Sequence, residues 1–215
     1  MSGLLMTKLK WLERLGLVCW VVTLLTFAIT VTINVRSLYV FDIDHLQILH
    51  NTILSKKELL HNFDQLMAYL NRPWVEKLVM RDFPVSKSGA FHFYEVKKLF
   101  LLNYALLFLS VIPSGIYLRH LKKTKRLWTL YQPFQLIAAV PIVIAFLMAV
   151  NFDRFFVAFH GIFFHNNDWI FNPATDPIIN VLPETFFLHC FIVFFVLLEG
   201  LLISQLLIGR HALKK

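Results

Sequence analysis

Four stretches of this chain carry almost no charge, and each is long enough to cross a bilayer. Between Arg14 and Arg36 lie 21 residues without a formal charge, and between Lys98 and Arg119 lie 20. Between Arg126 and Asp153 lie 26, and between Glu184 and Arg210 lie 25, interrupted only by Glu199. A helix needs about 20 apolar residues to span the hydrocarbon core. Lipid offers the backbone no hydrogen-bond partners, so helices are favoured because they satisfy their own N–H and C=O groups. The expected spans are 15–35, 98–118, 130–151 and 185–208. Composition agrees: the 215 residues are 58% hydrophobic and 16% charged, where a soluble domain carries about a quarter charged residues.

The first apolar run has a basic start (Lys8, Lys10 and Arg14) like a signal peptide. It is longer than a signal core, and no small-x-small cleavage site follows it, so a retained helix is expected. Lys and Arg set the orientation. The N-terminus, the loop RHLKKTKR and the C-terminus together carry eleven Lys or Arg against Glu13 alone. The two long connections carry ten Lys or Arg against eleven Asp or Glu. Both termini and the loop 119–127 are therefore expected in the cytoplasm, with 36–97 and 152–184 outside. The fold class is an all-α membrane protein: one membrane domain over 1–215, a four-transmembrane-helix bundle with an extracellular cap formed by the two outer segments. The basic excess reports topology; no basic-aromatic pattern points to nucleic acid. Cys19 and Cys190 both fall in apolar runs and read as small core residues.

The outer segment 36–97 is too long to be a bare connection. Ser55 followed by Glu58 forms a capping-box pattern. Leu59, Leu60, Phe63, Leu66, Met67 and Leu70 then recur at helical spacing, and Pro73 stops the helix. Trp74 to Phe83 reads as a short strand or extended arm. Ser86 or Ser88 is placed to cap a helix running through His92 into the second span. Pro113 and Pro141 are expected to bend the second and third spans. Glu199, in the inner half of the fourth, reads as a structural carboxylate facing the bundle interior.

Of nine histidines, His120 and His211 sit among cytoplasmic basic residues, and His45, His50 and His61 lie in the cap. His92, His160, His165 and His189 each lie within a few residues of an outer membrane boundary, where they can converge on one layer. His92 and Glu95, at i and i+3, share a helix face. A metal site using His92, Glu95 and His160 has enough ligands for catalytic zinc, but there is no HExxH. A serine nucleophile lacks its GxSxG turn. General acid–base catalysis by two histidines needs neither, and the imidazole pKa suits it. The run from Phe152 to Phe171 is crowded with aromatics, including Phe159, Phe163, Phe164 and Trp169. It reads either as an interfacial belt or as a pocket gripping acyl chains, with Asn166, Asn167 and Asp168 as polar contacts.

The order of three elements, HFYEVKKLF before the second span, FHGIFFHNNDWIFNPATD after the third and VLPETFF entering the fourth, resembles the bacterial lipoprotein intramolecular transacylase (Lit) family over nearly the whole chain. The resemblance implies transfer of an acyl chain from the glycerol sn-2 oxygen to the α-amino group of the N-terminal cysteine of a diacylglyceryl lipoprotein. The product is the lyso form. Carried over by motif, His92 and His160 are the catalytic pair. Tyr94, Glu95, Phe159, Phe163, Phe164, His165, Asn166 and Trp169 are the expected binding or supporting residues. No cofactor or metal is expected; the partners are the lipoprotein substrate and membrane lipid, the location is the bacterial plasma membrane, and the chain is expected to act as a monomer. The competing readings are a membrane scaffold or lipid-binding subunit with structural histidines, and a lipid hydrolase.

Overall fold

The computed structural model describes residues 3–214, with side chains from residue 11 on. The side chains of Lys8, Lys10 and Lys215, which contribute to the expected orientation, lie outside the described set. The described chain is helical throughout its regular structure: α1 (Gly3–Asn34), α2 (Arg36–His45), α3 (Lys56–Asn71), α4 (Lys87–Lys123), α5 (Tyr131–Val150), α6 (Phe152–Phe163) and α7 (Glu184–Leu213), with short 3₁₀ turns at Ile48–Asn51, Leu127–Leu130 and Pro177–Val181. Four helical segments are long and apolar enough to cross a membrane: Trp11–Asn34, Lys87–Lys123, Leu127–Val150 and Glu184–Leu213. Pro113 and Pro141 lie inside continuous helices.

The chain divides into two units. The first takes residues up to 32, 103–146 and from 193 on. It is a bundle of the four apolar helices around Leu24, Ala28, Leu121, Phe134 and Leu202. Lipid is as apolar as leucine, so apolar contact alone specifies little between helices, and polar groups help to fix their pairing. Thr23 Oγ1 lies 2.9 Å from Ser110 Oγ and 2.8 Å from Ser114 Oγ, joining α1 to α4. Asn103 Nδ2 donates to Thr30 Oγ1 at 2.8 Å, and Trp20 Nε1 donates to Gln205 Oε1 at 3.2 Å, joining α1 to α7. The Arg126 guanidinium makes a two-pronged pair with Glu13.

The second unit takes 33–102 and 147–192. Its core is built from Tyr39 and Ile43 of α2, Leu59 and Phe63 of α3, Phe93 of α4 and Val181 before α7. Tyr39 stacks on Phe63 with ring centroids 4.1 Å apart, and its hydroxyl donates to the Val181 carbonyl at 2.8 Å. The Ser55–Glu58 capping box is formed in full. Arg72, preceding Pro73, is extended (φ −109°, ψ 116°), as the proline ring requires of its predecessor. The 74–83 arm forms no strand. Side chains hold it instead: Asn62 exchanges hydrogen bonds with Asp82 at 2.7 and 2.9 Å, and the buried Lys97 donates to the Val75 carbonyl at 2.5 Å. Ser86 caps α4 by accepting from the Gly89 N–H at 3.0 Å. At Asn151 the backbone is extended (φ −160°, ψ 101°), and its side chain accepts from Arg154 N–H at 2.9 Å. The third apolar helix thus stops at Val150, and α6 starts afresh as a separate platform.

Candidate active site

His92, in the second turn of α4, and His160, in the last turn of α6, come together inside the second unit. Their ring centroids are 5.9 Å apart. They are 6% and 8% exposed, a burial that matters because an imidazole away from water resists protonation. Phe164 packs against both rings, 4.7 Å from His92 and 5.6 Å from His160. Phe171 closes on His92 at 5.6 Å. Trp169 stacks on His160 at 4.5 Å, and Phe156 approaches it at 4.3 Å.

The imidazoles differ in their bonding. His160 Nδ1 lies 2.8 Å from the Phe156 carbonyl, one turn back on α6. A carbonyl only accepts, so Nδ1 carries the hydrogen and Nε2 keeps the lone pair when the ring is neutral. Burial lowers the His160 pKa below the usual imidazole value, and the hydrogen bond to Phe156 opposes it more weakly. His92 Nδ1 is buried with no hydrogen-bond partner among the described residues. A buried orphan nitrogen is costly in an idle protein and is expected of a group awaiting a ligand.

The remaining expected residues fall into three groups. Phe159 meets His160 edge to face at 5.7 Å and stacks toward Phe163 at 4.8 Å; Phe163 is half exposed. Asn166 Nδ2 donates to both oxygens of Glu95, at 3.1 and 3.0 Å, tying the loop after α6 to α4. Asn166 Oδ1 accepts from the Asp168 N–H at 3.0 Å, one residue before the stacked Trp169. Glu95 therefore bonds to an amide and to neither imidazole. Tyr94 faces outward on α4 with the Lys98 ammonium 4.3 Å over its ring, and His165 is exposed.

Two supports were not legible in the sequence. Asp176, 1% exposed, accepts from the Ser86 N–H at 2.7 Å at the start of α4. Gly89 lets that segment close in: a Cβ there would overlap Asp176 Oδ1 and stand 2.9 Å from the Phe171 ring. His189 is occupied elsewhere: its Nδ1 lies 2.8 Å from Asp42 Oδ1, and Asp42 is completely buried. Among the described residues no three His, Cys, Asp or Glu side chains converge as a metal-ligand set.

Four helices long and apolar enough to span a membrane and a buried, aromatic-walled pair of imidazoles place the chain among integral membrane proteins with groups able to take up and give back protons. The family described as "Lipoprotein intramolecular transacylase Lit" matches residues 14–187, and the chain belongs to that family. It is an acyltransferase, an integral multi-pass membrane protein whose family implies a lipoprotein substrate. Among solved structures, the lipoprotein intramolecular transacylase Lit from Bacillus cereus is similar at 27% identity over 95% of each chain, with a TM-score of 0.89. Two histidine-substituted forms of that protein are also similar. The form with arginine in place of histidine shows 27% identity over 99% of this chain and 97% of the other, TM-score 0.81. The form with alanine shows 26% over 99% and 98%, TM-score 0.83. No curated protein matches.

Proposed function

We propose that the enzyme moves an acyl chain from the sn-2 glyceryl oxygen of a diacylglyceryl lipoprotein to the α-amino group of the same N-terminal cysteine, using His92 and His160 as general base and general acid. The single observation that carries this reading is the buried imidazole pair, 5.9 Å between ring centroids. Family membership supplies the substrate class. The site faces the outer side, both termini are cytoplasmic, and 36–97 with 152–184 form the outer cap.

The protons balance without a co-reactant. The substrate amine arrives as an ammonium and hands one proton to the first imidazole. The free amine attacks the ester carbonyl, forming the C–N bond. The second imidazole removes a further N–H proton from the adduct. The C–O bond to glycerol breaks, and the first imidazole returns its proton to the glyceryl oxygen. The second imidazole then releases its proton to solvent. Two neutral imidazoles suffice at the start, which suits a site that disfavours imidazolium. The aromatic walls exclude water that would divert the ester to fatty acid, and holding amine and ester together supplies roughly 7–11 kcal/mol of the barrier.

The test is conversion of a diacylated lipopeptide by the purified chain, read by mass spectrometry. His92→Ala and His160→Ala are each expected to lower lyso-product formation by about 10²–10⁴-fold while the protein stays folded. Full conversion by either folded variant defeats the pair, and release of free fatty acid by the unaltered enzyme indicates a hydrolase.

A further inference from the structure

Glu95 is a half-buried carboxylate on α4. Among the described residues no Lys, Arg or His nitrogen lies within ion-pair reach of it. The two lysines that follow it on α4 are engaged elsewhere: Lys97 donates to the Val75 carbonyl and lies over the Tyr69 ring, and Lys98 lies over Tyr94. Among the described residues its hydrogen bonds come from the Asn166 amide alone, which leaves further lone pairs of the two oxygens open. Glu95 stands at i+3 from His92, which puts the two Cβ atoms about 5–6 Å apart on one helix face. Asn166 also orders the loop that brings Trp169 onto His160. An uncompensated carboxylate thus stands one helical turn from His92 and is tied by Asn166 to the loop that carries Trp169.

We infer that Glu95 is the docking site for the α-ammonium group of the substrate, a binding role that rests on the transacylase reading above. A primary ammonium has three N–H donors. One reaches Glu95 while another points at an imidazole, so the carboxylate aligns the amine for proton removal. The reaction then erases the charge that Glu95 recognises, because the product nitrogen is a neutral amide. The same contact that holds a free-amine diacyl lipoprotein releases the N-acylated product and rejects lipoproteins already acylated on nitrogen.

The test separates binding from turnover. The probe is a diacylglyceryl lipopeptide whose sn-2 ester is replaced by an ether, which binds but has no transferable acyl group, together with its N-acetylated twin. Kd values for both are measured at pH 7 with the full-length enzyme in detergent micelles. The unaltered enzyme is expected to prefer the free amine by about ten- to a hundredfold, the range of a charge-assisted hydrogen bond. Glu95→Gln keeps an oxygen to accept from Asn166 and is expected to bring the preference within about threefold; Glu95→Asp retains part of it. The preference of the unaltered enzyme should fade as pH rises through the α-amine range near 8, in a site whose other titratable groups are Asp168, Lys97, Lys98 and His92. Full preference in Glu95→Gln, no preference in the unaltered enzyme, or loss of it only in Asp168→Asn overturns the inference. Conversion of the ester lipopeptide is scored separately. An intact amine preference without lyso product defeats the transacylase reading alone, and lyso product without amine preference defeats the ammonium site alone.

Discussion

At the scale of single residues, the hydrogen bond from His160 Nδ1 to Phe156 decides what that ring can do. It leaves Nε2 as the basic atom, and burial keeps that atom unprotonated to lower pH than an exposed imidazole. The sign of the pH dependence follows. Between the lowered folded pKa and the unfolded value near 6.5, the unfolded chain binds more protons than the folded one. Stability therefore falls as pH drops through about 6.5 and stops falling from this source below the folded pKa. The acid limb of kcat/KM is expected below 6.5 as well, since the base is lost only on protonation in the folded enzyme. Rate profiles and unfolding midpoints from pH 5 to 8 check both; an acid limb at or above 6.5 contradicts the burial argument. Four histidines stood out because each lies beside an apolar run at an outer boundary; only the family resemblance singled out His92 and His160 among them, and the structure brings those two rings to 5.9 Å. The partner of Glu95 was not, because Asn166 lies 71 residues away and nothing in either local pattern points to the other. Asp42 was silent for the same reason: its histidine is 147 residues distant.

Between elements, the working parts are the contacts that set α4 and α6 against their neighbours. On α4, Gly89 sits one turn before His92. Alanine there gains roughly 1 kcal/mol of helix propensity, but its Cβ meets Phe171 and Asp176, and overpacking of this kind costs about 1–3 kcal/mol. Overlap wins or ties on stability, and the displaced Phe171 is a wall of His92. Gly89→Ala is therefore expected to lower kcat well beyond any change in unfolding midpoint; unchanged kcat would show that Phe171 does not set the imidazole's position. The Asp42–His189 pair joins α2 to the start of α7, which presents Phe187 and Phe191 to α6. One Asp42 oxygen is already buried with no hydrogen-bond partner among the described residues, so His189→Ala strands the whole carboxylate. Breaking a buried pair from one side costs about 3–5 kcal/mol, whereas replacing both members with apolar residues is often neutral. Thermal unfolding in detergent should show His189→Ala far less stable than the double change His189→Leu with Asp42→Leu. Capping at Ser55–Glu58 and the stop before Pro73 were readable because they are local rules. The fresh start of α6 was not: the sequence pattern leaves 152–184 as one outer segment, and only the capping bond from Arg154 N–H to Asn151 marks the new helix.

For the whole molecule, length and apolarity were enough to find four spans, because a bilayer imposes a thickness that every crossing helix must meet. Their pairing was not readable, since it rests on small polar contacts such as Thr23 with Ser110 and Ser114 that no periodicity announces. Orientation depends on a different quantity, the placement of Lys and Arg in short connections. The loop 119–127 packs five of them into eight residues. The segment 36–97 has nearly balanced charge and is long, so it contributes little to the bias. The proposed orientation rests on this loop: a basic segment of this density favours the cytoplasmic side, where the surface potential attracts it by about 1 kcal/mol per cation. This predicts opposite labelling at two exposed positions. With Cys19 and Cys190 replaced by alanine, Ile53→Cys, at a fully exposed site of the second unit, should react in intact cells with a membrane-impermeant maleimide. Lys123→Cys, at the end of α4, should react only after the cells are opened. The reverse pattern would place the imidazole pair's unit in the cytoplasm, away from any lipoprotein exposed on the outer leaflet, and would defeat the outward-facing reading together with the charge argument beneath it.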